Sequence, residues 1–275
     1  MITTRRGLFA LTGATAAMAM MGCSGSTASD ASDAVTRLKV GASPVPHARI
    51  LGFVKDQLAA AAKIDLQIIE YDDYVQPNEA LASKELDANY FQHVPYLENQ
   101  IAERKYAFTH GSGIHIEPYA AFSKKHRAVT DIPQGATVAI TNDASNQARG
   151  LKVLEMAGLL KGVTASSNVL NLTADQNPKG LRFLENQPEV IVQQIDDPKV
   201  DVAMVNGNFI LSAGLSTRDA LAAEKVEANP YANVLAWRTD DNRSALARLD
   251  ELLHSRDVAD FIRRTWPSGE VTPGA

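Results

Sequence analysis

A guanidinium, a few carboxamides and a group of aromatic rings are the side chains of this sequence with most to offer a small polar molecule. Arg149 lies one turn into a predicted helix that follows the polar run Asn142 to Asn146. A planar guanidinium can hold both oxygens of a carboxylate in a charge-assisted pair, and a helix N-terminus adds a field that favours an anion. The same position would suit a solvated arginine on a helix surface. Asn206 and Asn233 follow or open predicted strands, where a side-chain amide accepts from an ammonium and donates to a carboxylate; asparagine is also a routine turn former. Asn146 belongs to the same set. Phe91 and His93 project to one side of an extended segment, and the break at Pro95 can turn Tyr96 inward, with Tyr74 a further candidate. Aromatic edges favour a thioether by about 0.3–1.5 kcal/mol each. Ordinary core packing would use the same rings.

Covalent chemistry has little to work with. There is no Gly-x-Ser-x-Gly elbow, no His-Glu-x-x-His pair and no glycine-rich phosphate loop, so a secreted hydrolase is the weaker reading and no enzyme activity is expected. His47, His93, His110 and His115 with Glu117 offer nitrogen and oxygen donors for a metal-ion-binding lipoprotein, the rival binder. Their spacings form no compact metal motif, and neither a metal nor another cofactor is expected. A net charge of −5 without a basic block argues against nucleic acid as a partner.

The chain opens like an export signal: Arg5 and Arg6, an apolar run from Leu8 to Met21, then Gly22-Cys23. The run is shorter than the roughly 20 residues of a membrane span. Cys23 is the only cysteine, which excludes internal disulfides. It sits where bacterial lipoproteins carry their acylated residue, with Met20 at the position usually held by leucine. Residues 1–23 are therefore expected to be a signal peptide with a lipobox, and Cys23 the lipidation (palmitate) site. Thr4 to Phe9 also resembles a twin-arginine signal, and both export routes stay open. Residues 24–36, rich in Ser, Ala and Asp, read as a flexible tether. The expected location is outside the cytoplasm, on the membrane through an N-terminal lipid.

Strand and helix periods alternate through the rest. Leu38 to Val40, Leu66 to Ile69, Ala136 to Ile140, Val200 to Val205 and Val234 to Trp237 read as strands. Ile50 to Leu58, Asn78 to Leu86, Ala148 to Ala157 (closed by Gly158) and two terminal amphipathic stretches read as helices. This predicts an α/β fold with largely parallel sheets. The expected boundaries are a first lobe over 37–120, completed by 237–275, and a second over 121–236, with two hinge crossings near 119–123 and 234–238. Ligands of such sheets bind beyond strand carboxyl ends, which points to the loops after Ile140 and Val205.

Asp73-Tyr74-Val75-Gln76-Pro77-Asn78-Glu79-Ala80-Leu81 and Asp87-Ala88-Asn89-Tyr90-Phe91-Gln92-His93-Val94-Pro95-Tyr96-Leu97 resemble the signature of the NlpA/MetQ family of methionine-binding lipoproteins. Val40-Gly41-Ala42, Ile116-Glu117-Pro118, Asn142-Asp143, Asn206-Gly207-Asn208 and Tyr231-Ala232-Asn233-Val234 follow in family order. The resemblance implies a two-lobed periplasmic-binding-protein clamshell, a Venus flytrap. It would be the monomeric substrate-binding protein of an ABC importer, with a permease and its ATPase as partners. The implied ligand is L-methionine, with D-methionine or a methionine dipeptide as alternatives. It also implies that Asn206 and Asn233 contact the ligand's backbone groups and that Phe91, His93 and Tyr96 wall its side chain. Thr141 to Asn146 departs from the family's Pro-Asn-Asp-Pro-Thr-Asn, a change expected to loosen that loop.

Overall fold

The computed structural model describes residues 34–274. The expected signal, Cys23 and all but the last three residues of the expected tether lie outside them. The chain runs β1 (Thr36–Ala42), α1 (Arg49–Gln57), β2 (Ile64–Glu70), α2 (Gln76–Ala82), β3 (Ala88–His93), α3 (Val94–Arg104), β4 (Phe108–His110) and β5 (His115–Ile116). It continues through β6 (Ala120–Phe122), β7 (Thr137–Thr141), α4 (Ala144–Met156), β8 (Arg182–Asn186), α5 (Pro188–Ile191), β9 (Val202–Val205), α6 (Gly207–Ser212) and β10 (Ala222–Ala223). Last come β11 (Asn233–Arg238), α7 (Ser244–Leu253), α8 (Arg256–Thr265) and β12 (Thr272–Pro273). Among the described residues no helix is long and apolar enough to cross a membrane.

Two sheets form, one per lobe. The first has the order β12-β5-β11-β3-β1-β2 with β4 beside β11, and the second β10-β6-β9-β7-β8. Only the centres are parallel: β2-β1-β3 in the first sheet and β9-β7-β8 in the second, while β11, β6 and their outer neighbours run antiparallel. The expected largely parallel sheets are thus mixed, because the chain re-enters each sheet from the other lobe rather than through a crossover helix.

Strand alternation places a core on each face of each sheet. In β1, Leu38, Val40 and Ala42 face a cluster that includes Ile50 of α1, Leu249 of α7 and Ile262 of α8. The terminal helices α7 and α8 therefore pack on the first sheet. Val234 and Ala236 of β11 turn the other way, onto Leu81 of α2 and Leu97 of α3. In the second sheet Val138, Ile140, Val202 and Met204 pack with Leu151 and Leu154 of α4, whereas Ala139, Ala203 and Val205 pack with Ile191 and Ile210.

Two boundaries differ from the sequence reading. Helix α2 stops at Ala82 instead of reaching Leu86, because Lys84 adopts a left-handed φ of 68° that no helix can continue through. Asn233–Arg238, expected at the return crossing, lies wholly in the first sheet, so the return passage falls at 224–232 and the outward one at 117–119. Val234 to Ala236 is apolar because it is buried on both faces, a pattern that does not say which sheet receives it.

A buried carboxamide network ties α2 to β3. Asn78 and Gln92 exchange hydrogen bonds of 3.0 and 2.9 Å, Asn89 donates to Asn78 at 2.8 Å, and Gln92 donates to Asn89 at 2.9 Å. All three side chains are buried, so each amide must find its partners within the protein. Asn78→Ala is expected to lower the unfolding free energy by about 2–3 kcal/mol, read from the midpoint of urea unfolding, by leaving the facing amides unpaired. A shift under about 0.5 kcal/mol would mean the network is dispensable.

Candidate functional site

The carboxyl ends of β3, β7 and β9 meet between the lobes around an empty space of about 330 Å³. All eight residues singled out in the sequence line it: Tyr74, Phe91, His93, Tyr96, Asn146, Arg149, Asn206 and Asn233. Gln92, Glu117, Gly207 and Asn208 complete the wall. Of these four, only Glu117 was weighed in the sequence as a donor, for the rival metal reading, whereas Gln92, Gly207 and Asn208 stood there only as parts of family motifs. Local chain geometry sets most positions: Phe91 and His93 share a face of β3, and Asn206 stands where β9 gives way to α6.

One end of the cleft is aromatic. The Tyr74 ring centroid lies 5.9 Å from Phe91 and 5.7 Å from Tyr96, and Phe91 lies 6.1 Å from Tyr96. The Tyr96 hydroxyl donates to the Tyr74 backbone carbonyl at 3.0 Å, which fixes the Tyr96 ring. Tyr74 in turn donates to Asn208 Oδ1 at 2.6 Å, a bond from the first lobe to the second.

The other end is polar, and its hydrogen bonds determine what it can accept. His93 Nδ1 takes the Tyr96 N–H at 3.1 Å, so its proton sits on Nε2 and is donated across the cleft to Asn146 Oδ1 at 3.0 Å. Burial lowers the His93 pKa to about 3, and the ring is neutral at pH 7. Asn206 Nδ2 also donates to Asn146 Oδ1, at 3.0 Å, leaving Asn206 Oδ1 buried with no partner.

Arg149 corrects the sequence reading in one respect. Its bidentate edge is not free: Nε and Nη2 grip Glu224 at 2.8 and 2.6 Å, and Nη2 also donates to the Glu117 carbonyl at 2.8 Å. Tyr119 and Tyr231 flank the guanidinium, with its carbon 5.4 and 4.4 Å from their ring centroids. A guanidinium 3 % exposed needs a counter-ion in the protein itself, and only Nη1 remains without a hydrogen-bond partner among the described residues. The α4 N-terminus is also taken, capped by Asp143 Oδ1 on Asn146 N at 2.9 Å. Thr141 donates to Asp143 at 2.6 Å, so the loop that lacks the family's prolines is held by side chains instead.

Glu117 follows β5 on the outward passage between lobes. His115 Nε2 stands 2.7 Å and His47 Nε2 3.1 Å from its Oε1, and His47 Nε2 is 3.2 Å from Asn233 Oδ1. Three donors of the rival metal reading therefore converge within 4.8 Å, although their sequence spacing showed no motif, while His93 and His110 stand outside the cluster. Both imidazoles hydrogen-bond to the carboxylate, and His47 Nδ1 is left buried without a partner. Burial pushes the Glu117 carboxyl up from its ordinary value, opposed by His47, Arg149 and the Asn208 N–H.

The atoms left to bind something sort by sign. Arg149 Nη1 and the Asn233 amide nitrogen are donors without protein partners among the described residues. Asn206 Oδ1 and the Glu117 carboxylate are acceptors. Paired donors, paired acceptors and an aromatic end suit a zwitterion with an apolar tail.

A model of the family described as NlpA lipoprotein matches residues 38–275. The methionine-binding lipoprotein MetQ of Bacillus subtilis is 36% identical over 242 residues, 85% of this chain and 86% of its own. An ABC transporter periplasmic substrate-binding protein from Coxiella burnetii has a solved structure with TM-score 0.79 and 34% identity, spanning 86% of this chain and 100% of its own. A nutrient binding protein from Burkholderia cenocepacia, solved bound to methionine, gives TM-score 0.80 and 34% identity over the same shares.

Proposed function

This chain belongs to the NlpA lipoprotein family, and from that membership we propose that it captures methionine between its lobes and delivers it to an ABC importer. The observation that carries the reading is the sorting of free polar atoms by sign at one end of the cleft, with Tyr74, Phe91 and Tyr96 at the other. Arg149 Nη1 and Asn233 receive the carboxylate, Glu117 and Asn206 Oδ1 receive the ammonium, and the rings enclose the thioether. Asn146 and His93 hold Asn206 in place across the cleft.

Closure follows from the same contacts. A ligand bridging Arg149 and Asn206 of the second lobe with Glu117 of the outward crossing and Asn233 of the first sheet favours the shut state by its differential affinity. The protein acts as a monomer and performs no chemistry on its cargo. It is anchored outside the cytoplasm by acylation at Cys23, with residues 24–36 as tether, and its partners are the permease and its ATPase.

Calorimetric titration of ligand-free protein, prepared by unfolding and refolding, tests this. L-methionine should bind at least about tenfold more tightly than leucine, and a chelator should leave its affinity unchanged. No heat with methionine would sink the reading, and a dependence on added metal would favour the rival one. Gly207 offers a finer check: an added Cβ would lie 2.4 Å from Glu117 Cβ, so Glu117 must move. Gly207→Ala should weaken methionine binding by about tenfold or more; unchanged affinity would show that Glu117's position does not matter.

A further inference from the structure

Behind Glu117 lies a set of buried groups that capture of the ligand does not itself use. The Tyr90 hydroxyl meets His115 Nδ1, and His115 Nε2 meets Glu117 Oε1 at 2.7 Å. His47, the second imidazole on that oxygen, stacks edge-on against both Tyr90 and His115 with centroids 4.9 Å away. Tyr90 and His115 are completely buried and His47 is 1 % exposed. Their proton positions follow from the partners. A lone pair on Nε2 would oppose a carboxylate, so His115 carries its proton on Nε2 and accepts from Tyr90 at Nδ1. His47 Nε2 faces two acceptors and must likewise be the donor, which leaves its buried Nδ1 without a partner.

We propose that Tyr90, acting through His115 and together with His47, holds Glu117 as an oriented anion, so that the cleft selects ligands with a free α-ammonium group and rejects N-acylated ones. The inference rests on the reading of the cleft as a methionine site. A buried carboxylate with no cation on its Oε1 keeps its charge by accepting N–H bonds. Two neutral imidazoles supply them without neutralising the charge. The attraction for an incoming ammonium is therefore retained, whereas a lysine in their place would cancel it. Tyr90 removes the remaining freedom by fixing the tautomer and tilt of His115, as outer-shell partners do for histidines that bind metals.

The test separates this role from simple structural support by comparing two ligands that differ only in the amine. Wild-type protein should bind methionine about 100-fold more tightly than its desamino analogue 4-(methylthio)butanoate, and N-acetylmethionine at least as poorly as the analogue. Tyr90→Phe and His115→Leu should each weaken methionine about tenfold while changing 4-(methylthio)butanoate less than about threefold, and His115→Gln, which restores a donor, should recover most of the loss. If His115→Leu does not fold, Tyr90→Phe and His115→Gln carry the comparison. Equal losses for both ligands in Tyr90→Phe, in a protein that binds methionine normally before substitution, would overturn the relay alone. Wild-type protein that binds neither ligand would overturn the methionine reading, and the relay with it.

Discussion

Arg149→Ala is expected to weaken methionine binding more than about 100-fold and, at the same time, to cost the fold about 3–5 kcal/mol. The two losses have different origins. Binding falls because Nη1 is the one cationic donor left to the ligand's carboxylate. Stability falls because Glu224, whose side chain is only 8 % exposed, loses the partner that compensates its burial. The double variant Arg149→Met with Glu224→Gln separates them, since it removes both charges and keeps the volume. Urea unfolding should return most of the stability while calorimetry still finds methionine binding lost. If Arg149→Ala unfolded at the wild-type midpoint, the pair would not be the buried, mutually dependent one seen here.

Acid should destabilise the ligand-free protein through its buried histidines. His47, His93 and His115 are buried and neutral, their pKa values lowered from 6.5 to about 4, 3 and 3, chiefly by burial. Between those values and 6.5 the unfolded chain binds more protons than the folded one. The stability they contribute is present in full above pH 6.5 and is lost as the pH falls through that window. One pH unit below 6.5 each histidine costs on the order of 1 kcal/mol, roughly 3–4 kcal/mol in all. Glu117 and Asp143, held above their ordinary values by burial, work in the opposite direction and offset part of this at lower pH. Thermal unfolding at pH 7.5 and 5.5 checks it, with a marked drop in Tm expected. His93→Gln should reduce the difference, and a Tm flat across this range would mean the imidazoles are not buried neutral.

What the sequence disclosed, and what it hid, divides along the length scale of the interactions. The strand-loop-helix units around Val40 and Ile140 and the strand ending at Val205 were legible because one period of apolar residues decides them locally. The Asn-rich loops could be located because strand ends are where such folds bind. The eight singled-out side chains do line one cavity, since each sits on or beside a local signal: a strand end, a helix start or the extended run before Pro95. Glu224 had no such signal. Its guanidinium partner is 75 residues away in sequence and across a sheet, and a carboxylate near a short edge strand looks like any other surface acid. The convergence of His47, His115 and Glu117 was hidden for the same reason, because it is made by the segment before α1, the two-residue strand β5 and a crossing rather than by spacing. The stretch from Leu159 to Leu181 forms no helix or strand and offered no period to read.

The polarity of the cleft is the central claim, and a crystal structure of the protein grown with L-methionine tests it most directly. The account predicts the ammonium at hydrogen-bond distance, about 3 Å, from the Glu117 carboxylate and Asn206 Oδ1. The carboxylate should lie on Arg149 Nη1 and the Asn233 amide, with sulfur among Tyr74, Phe91 and Tyr96. Methionine bound with head and tail exchanged, or seated outside this cleft, would contradict it.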